Sequence, residues 1–156
     1  MAYIVTNKEK SISFISKDLE QLSGQYPGYE IYENGIAGHL ITISDADFNL
    51  LISYEKVATV NSDLSVTLAD RVLAADEVIG FSSKEQLDSY ISAIKERINH
   101  SIHQRESDST YKNELETYKT LLENLNTSSI TYPLNTSLEK YLIDQGNTIL
   151  SPLQIC

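Results

Sequence analysis

The sequence predicts an α+β protein, and three observations carry that prediction. Short apolar, β-branched stretches fall in the first half, with His39-Leu40-Ile41-Thr42-Ile43 the clearest. Apolar residues then recur at three- and four-residue spacing from Leu87 to Leu125. The two patterns do not alternate strictly, which favours segregated strands and helices over a doubly wound sheet.

Taken in order, Tyr3–Val5 and Ser11–Ile15 read as short strands, and Asp18–Leu22 as a short helix closed by Gly24. Tyr29-Glu30-Ile31-Tyr32-Glu33 leads into Asn34-Gly35 and then Ile36–Ile43. Asn-Gly supplies the two positive-φ positions of a type I′ turn, so the pattern predicts a β-hairpin here. Ser44 stands as an N-cap ahead of Asp45 and Asp47, whose charges suit a helix start. Phe48, Leu51, Ile52 and Val57 fall on one face of that helix, and Asn61-Ser62-Asp63 breaks it. Leu64–Leu68 is a further strand, while Ala69–Phe81 fits either helix or strand.

Ser82 and Glu85 match a capping box and open the longest periodic stretch. Leu87, Ile91, Ile94, Ile98 and Ile102 form one coiled-coil-like seam, and Tyr111, Leu115, Tyr118, Leu122 and Leu125 form another, out of phase with the first. His103–Thr110, between them, has no apolar residue. Two arrangements fit: one bent helix of 43 residues from Lys84 to Asn126, or a helical hairpin with Ser107-Asp108-Ser109 capping its second arm. The hairpin lets each seam bury against the other and is the expected form. Further on, Thr136 and Glu139 match a second capping box for a short helix to Asp144, ended by Gly146. Ile149, Leu150, Leu153 and Ile155 then form an apolar, extended arm around Pro152. The organisation expected is therefore a mixed α+β domain over residues 1–81, a helical hairpin or coiled-coil-like segment over 82–126, and a linker, short helix and docking arm over 127–156.

Composition bounds the function. With 41% apolar and 22% charged residues in 156, the chain is an ordinary globular one. Its net charge is −10, and residues 1–80 hold 12 acidic against 5 basic side chains. No basic stripe exists to meet phosphate, so nucleic acid is not an expected partner. No run approaches the roughly 18 apolar residues of a membrane span, and a cytoplasmic, membrane-free protein is expected. Cys156 is the only cysteine, which leaves neither an internal disulfide nor a thiolate cluster.

Catalytic and metal motifs fare poorly. Asp45-x-Asp47-x-Asn49 imitates the start of an EF-hand loop, but Leu50 replaces its glycine and Lys56 its final glutamate. Glu96, His100 and His103 share a helical face as three ligands would, yet polar residues flanking a helix bend and facing water account for them better. No Walker loop, dinucleotide-binding glycine pattern or nucleophile elbow occurs. The expectation is a non-enzymatic protein with no cofactor and no metal. Tyr26, Tyr29 and Tyr32 cluster around Pro27-Gly28, suiting either a contact surface or cross-strand packing.

The run Pro133-Leu134-Asn135-Thr136-Ser137-Leu138-Glu139-Lys140-Tyr141-Leu142-Ile143-Asp144-Gln145-Gly146, with Leu150-Ser151-Pro152-Leu153-Gln154-Ile155 after it, resembles the tails of small structural proteins of tailed bacteriophages, cyanophages among them. The resemblance covers about thirty residues and carries no functional residue across. It implies a virion component: a neck, tail, baseplate, fibre-attachment or capsid accessory protein assembled in the host cytoplasm. The expected partners are other virion or assembly proteins and further copies of the chain. Contacts are expected at Leu87, Ile91, Ile94, Ile98, Tyr111, Leu115, Tyr118 and Leu122, and at Ile149, Leu150, Leu153 and Ile155. The alternative is a small acidic regulatory or inhibitory protein that binds a host enzyme.

Overall fold

The computed structural model describes residues 1–73, 79–104 and 109–155. Strand β1 (Ala2–Asn7) is the centre of a three-stranded antiparallel sheet, flanked by β2 (Ile12–Ser16) and β3 (Gly38–Ile43). The register sets Ile4 beside both Ile15 and Ile41, and Ala2 beside Ile43. Alternation therefore puts these five side chains on one face, where they enter the core. Val5 on the opposite face is also fully buried, so the sheet is covered on both sides. Gly38 pairs with Asn7 at the end of β3, and a Cβ there would stand 1.8 Å from the Thr6 carbonyl oxygen. Only glycine allows the two strands that approach.

The mixture of helices and strands is as the sequence predicts, but one pairing is not. Tyr29–Glu33 is no strand. Its last four residues form a single turn, α2 (Glu30–Glu33), and the Asn34-Gly35 hairpin is absent. A type I′ turn needs positive φ at both central residues. Gly35 has φ +68°, but Asn34 sits at φ −91° and ψ 0° as the cap of α2. The strand predicted after the turn does form, and it pairs with β1 at the N-terminus. The hairpin of this sheet joins β1 to β2 instead. Its turn is held by Asn7, whose N–H bonds the Ser11 carbonyl at 2.9 Å and whose Oδ1 accepts the Ser11 N–H at 2.9 Å.

Helix α1 (Leu19–Gln25) starts at Asp18, which accepts the Gln21 N–H at 2.7 Å. Gly24 lies buried inside this helix and does not end it. Helix α3 (Asp45–Ile52) begins at Ser44 as expected, with Ser44 Oγ accepting from the Asp47 N–H at 3.1 Å, and it buries Phe48, Leu51 and Ile52. Val57 does not extend that face, because it belongs to β4 (Lys56–Val60), which pairs with β5 (Val66–Asp70) in a separate two-stranded ribbon. Asn61-Ser62-Asp63 is the turn of this ribbon. Of the ambiguous stretch Ala69–Phe81, the first two residues end β5, Phe81 makes an isolated bridge to Leu134, and 74–78 lie outside the described residues.

Apart from Leu125, which follows the second helix, the two seams fall on α4 (Lys84–Gln104) and α5 (Ser109–Asn124), which pack against each other. Ser92, Lys95, Glu96 and Asn99 share a surface depression with Lys119 and Glu123. In one straight helix Asn99 and Lys119 would stand about 30 Å apart, so the chain folds back. The expected cap at Ser107-Asp108 lies outside the described residues. At the start of α4 the cap is one residue later than predicted: Ser83 Oγ accepts the Gln86 N–H at 3.4 Å, while Gln86 Oε1 accepts the Ser82 N–H at 2.9 Å. The same shift recurs at α6 (Leu138–Asp144), where Ser137, not Thr136, accepts the Lys140 N–H at 3.1 Å.

One continuous apolar cluster joins all three stretches of the chain: Ile4, Ile15 and Ile41 of the sheet, the α4 and α5 seams, and Leu138, Leu142, Ile149, Leu150 and Ile155 from the C-terminal third.

Candidate interaction surface

The twelve side chains expected to make contacts divide unevenly. Leu87, Ile98, Tyr111 and Leu115 are fully buried, and Ile91, Ile94, Tyr118, Leu122, Ile149, Leu150 and Ile155 are nearly so. They lie in the protein's own interior, as the hairpin arrangement of the two seams expects, and leave little of their surface for a partner. The seams were read from spacing, and spacing shows that a face is buried without showing what buries it.

The C-terminal arm docks on its own chain, and its polar groups explain why it stays. The Tyr111 hydroxyl donates to the Gln154 carbonyl at 2.7 Å, and Arg97 donates to the Ile155 carbonyl at 3.0 Å. The Ile15 N–H donates to the Leu153 carbonyl at 3.1 Å, so the arm partly covers the outer edge of β2. Gln154 Nε2 donates to Gln21 Oε1 at 2.9 Å, and the Gln25 amide donates to the Gln154 carbonyl. Buried backbone groups need such partners. Sequence reasoning passed over Gln21 and Gln25, whose spacing of four on a helix also bearing Leu22 was the available signal.

Leu153 is the exception among the twelve. It is 36% exposed and lines a cleft of about 380 Å³ together with Ile12, Ile15, Leu51, Tyr54, Val57 and Ala58. The β4–β5 ribbon forms one wall. Its register pairs Ala58 with Leu68 and Val60 with Val66 on the inner face, where all four pack on the core. The outer face pairs Val57 with Ala69 and Thr59 with Thr67, all four exposed. A tight turn closes the far end: the Asn61 N–H bonds the Ser65 carbonyl at 2.8 Å, Leu64 takes φ +66°, and Asp63 Oδ1 accepts both the Ser65 N–H at 3.0 Å and its hydroxyl at 2.6 Å. Those bonds hold the Asp63 carboxyl below its usual range. At the near end Lys56 pairs with Asp70, and the Lys56 bond likewise lowers the Asp70 carboxyl. Arg71 lies over the Tyr54 ring, 5.7 Å from its centre.

Among the described residues no third strand joins this ribbon, so each strand has a free edge. Exposed edges usually carry lysine, proline or other charges that discourage pairing with foreign strands. Here Asp63, in the turn, is the only charge from Val57 to Ala69. The apolar exposure continues past β5, where Val72 is 88% exposed and Leu73 and Ile79 are also open to solvent.

No protein-family model, curated protein or solved structure matches this chain. The ribbon is thus described by its own chemistry: an uncharged outer face, β-branched at three of its four positions, on a protein of net charge −10.

The remaining candidates do not gather into a site. Glu96, His100 and His103 lie on the exposed side of α4, and among the described residues no three His, Cys, Asp or Glu side chains are grouped to hold a metal. Tyr26 meets Tyr32 edge-on at 5.1 Å and stacks with Phe14 at 5.6 Å, while Tyr29 stands apart from these ring contacts. No helix among the described residues is long and apolar enough to cross a membrane.

Proposed function

We propose that this chain is a non-enzymatic structural or adaptor protein of a multi-subunit assembly, and that it joins its neighbours through the β4–β5 ribbon. The observation that carries this reading is the uncharged outer face of Val57, Thr59, Thr67 and Ala69, between two strand edges that no other described strand pairs with. Such a ribbon accepts an added strand by backbone hydrogen bonds, with alternate side chains giving selectivity. The first neighbour is another copy of the same chain. Two bodies of charge −10 repel, and an uncharged patch is where they approach at least electrostatic cost. The C-terminal resemblance supplies the setting, a tailed-phage virion in which the other partners are further particle proteins.

The net charge itself favours a second reading, a regulatory protein that binds a host enzyme through acidic surface. Salt separates the two, because exposed charge pairs are screened over about 8 Å at physiological ionic strength and apolar strand addition is not. Light scattering coupled to size exclusion tests the proposal. The wild-type protein is expected as a defined oligomer that survives high salt, and Val57→Lys with Thr67→Lys is expected as a folded monomer. A wild-type monomer at every concentration, or an assembled double variant, would overturn it.

A further inference from the structure

Glu139 is the one charged side chain that is fully buried among the described residues, at 1% exposure. The sequence matches it to a capping box with Thr136, but the cap lies at Ser137, and Glu139 is buried with Leu138 and Leu142 on the inner side of α6. Its Oε1 accepts a hydrogen bond from the Tyr90 hydroxyl at 2.6 Å. No described cation pairs with it. Lys140, next in sequence, reaches outward to Glu55 at 2.5 Å and toward Asp144 at 3.7 Å.

The groups around the carboxyl come from several elements. Tyr90 belongs to α4, Tyr118 to α5, and Tyr54 to the turn after α3, and the Glu139 charge bears on all three hydroxyls. Burial drives each of these tyrosines far above its ordinary value, so all three stay neutral. Arg97 of α4 acts on Tyr54 and spends a hydrogen bond on the Ile155 carbonyl. The Tyr118 hydroxyl is buried without a partner. An ionised carboxylate has room for several donors, yet the Tyr90 hydroxyl and the residue's own backbone N–H are the two supplied among the described residues. Burying a charge so poorly compensated is costly.

We propose that Glu139 is a proton-controlled latch: as the neutral acid it seats α6 against α4 and α5, and on ionisation it loosens α6 and the C-terminal segment. Burial raises the Glu139 carboxyl above its ordinary 4.5, with the Tyr90 bond opposing but not cancelling it. The sign follows from linkage. Below 4.5 the group is protonated both folded and unfolded, and its full contribution is present. As the pH rises from there through the higher folded value, the unfolded chain ionises more readily and stability is lost.

Urea unfolding of wild type and Glu139→Gln across a pH series from about 4 to 8 tests this. The midpoints should coincide at the acid end and separate as the pH rises, with the glutamine variant the more stable. A gap that is constant with pH, or reversed, would overturn the latch. Carboxyl-carbon NMR titration of the wild-type protein decides the matter even if the variant does not fold. An inflection for Glu139 above 4.5 is expected, with lower amide protection in 138–155 on its alkaline side once the intrinsic pH dependence of exchange is divided out. An inflection at or below that value, or unchanged protection, would refute it.

Discussion

The Tyr111 hydroxyl donates to the Gln154 carbonyl at 2.7 Å, a bond that spans 43 positions of sequence and ties the start of α5 to the end of the chain. Gln154 is itself 1% exposed, and Ile155 beside it 2%. The terminal segment is part of the core.

Two variants measure that tie. Tyr111→Phe removes one buried hydrogen bond while the Gln25 amide still reaches the same carbonyl, so the loss should be about 1 kcal/mol in urea unfolding. Truncation after Gly146 removes Ile149, Leu150 and Ile155 together. At about 1.5–3 kcal/mol for each buried side chain, the loss rivals the whole stability of a typical domain. Cooperative unfolding should disappear, and a sharp transition in the truncated chain would contradict the placement.

Gly38→Ala should destabilise the sheet by about 2 kcal/mol or more, because the new methyl would meet the Thr6 carbonyl oxygen and neither backbone can yield freely. The substitution leaves the helices untouched. Circular dichroism should therefore show native helix content at low temperature and an earlier melt.

Ser44 and Ser137 cap helices in the same way, yet they should not be equally costly to lose. Each accepts one first-turn N–H. Ser137 Oγ also donates to the Ser53 carbonyl at 3.0 Å, joining α6 to the end of α3. Ser44→Ala should cost about 1 kcal/mol, and Ser137→Ala about 1 kcal/mol more, the value of a second hydrogen bond. Equal losses in thermal unfolding would deny the Ser137–Ser53 bond a role.

Much of the fold was legible because periodicity and caps are local. β1, β2, β3, α3 and both long helices follow from residue spacing, and Ser44 from its position before Asp45. What failed was partner choice. The β3 strand pairs with β1 across more than thirty residues, and no local pattern encodes that. Asn34-Gly35 imitated a hairpin, while the real β1–β2 turn uses Asn7 side-chain bonds and a positive φ at Lys10. Glu139 illustrates what a local motif leaves out: the capping-box match placed it in the first turn of α6 but carried no sign that its carboxyl is buried. The ribbon was half visible, since the lack of charge between Lys56 and Asp70, apart from Asp63 in the turn, can be read directly, but the alternation of Val57, Thr59, Thr67 and Ala69 outward needed the register.

The most direct test of the ribbon's role is amide hydrogen exchange on the wild-type protein at low and high concentration, read residue by residue. Protection should rise with concentration along Lys56–Val60 and Val66–Asp70 and stay level in α4 and α5. Exchange along the ribbon that ignores concentration, or protection gained elsewhere instead, would contradict assembly through this surface.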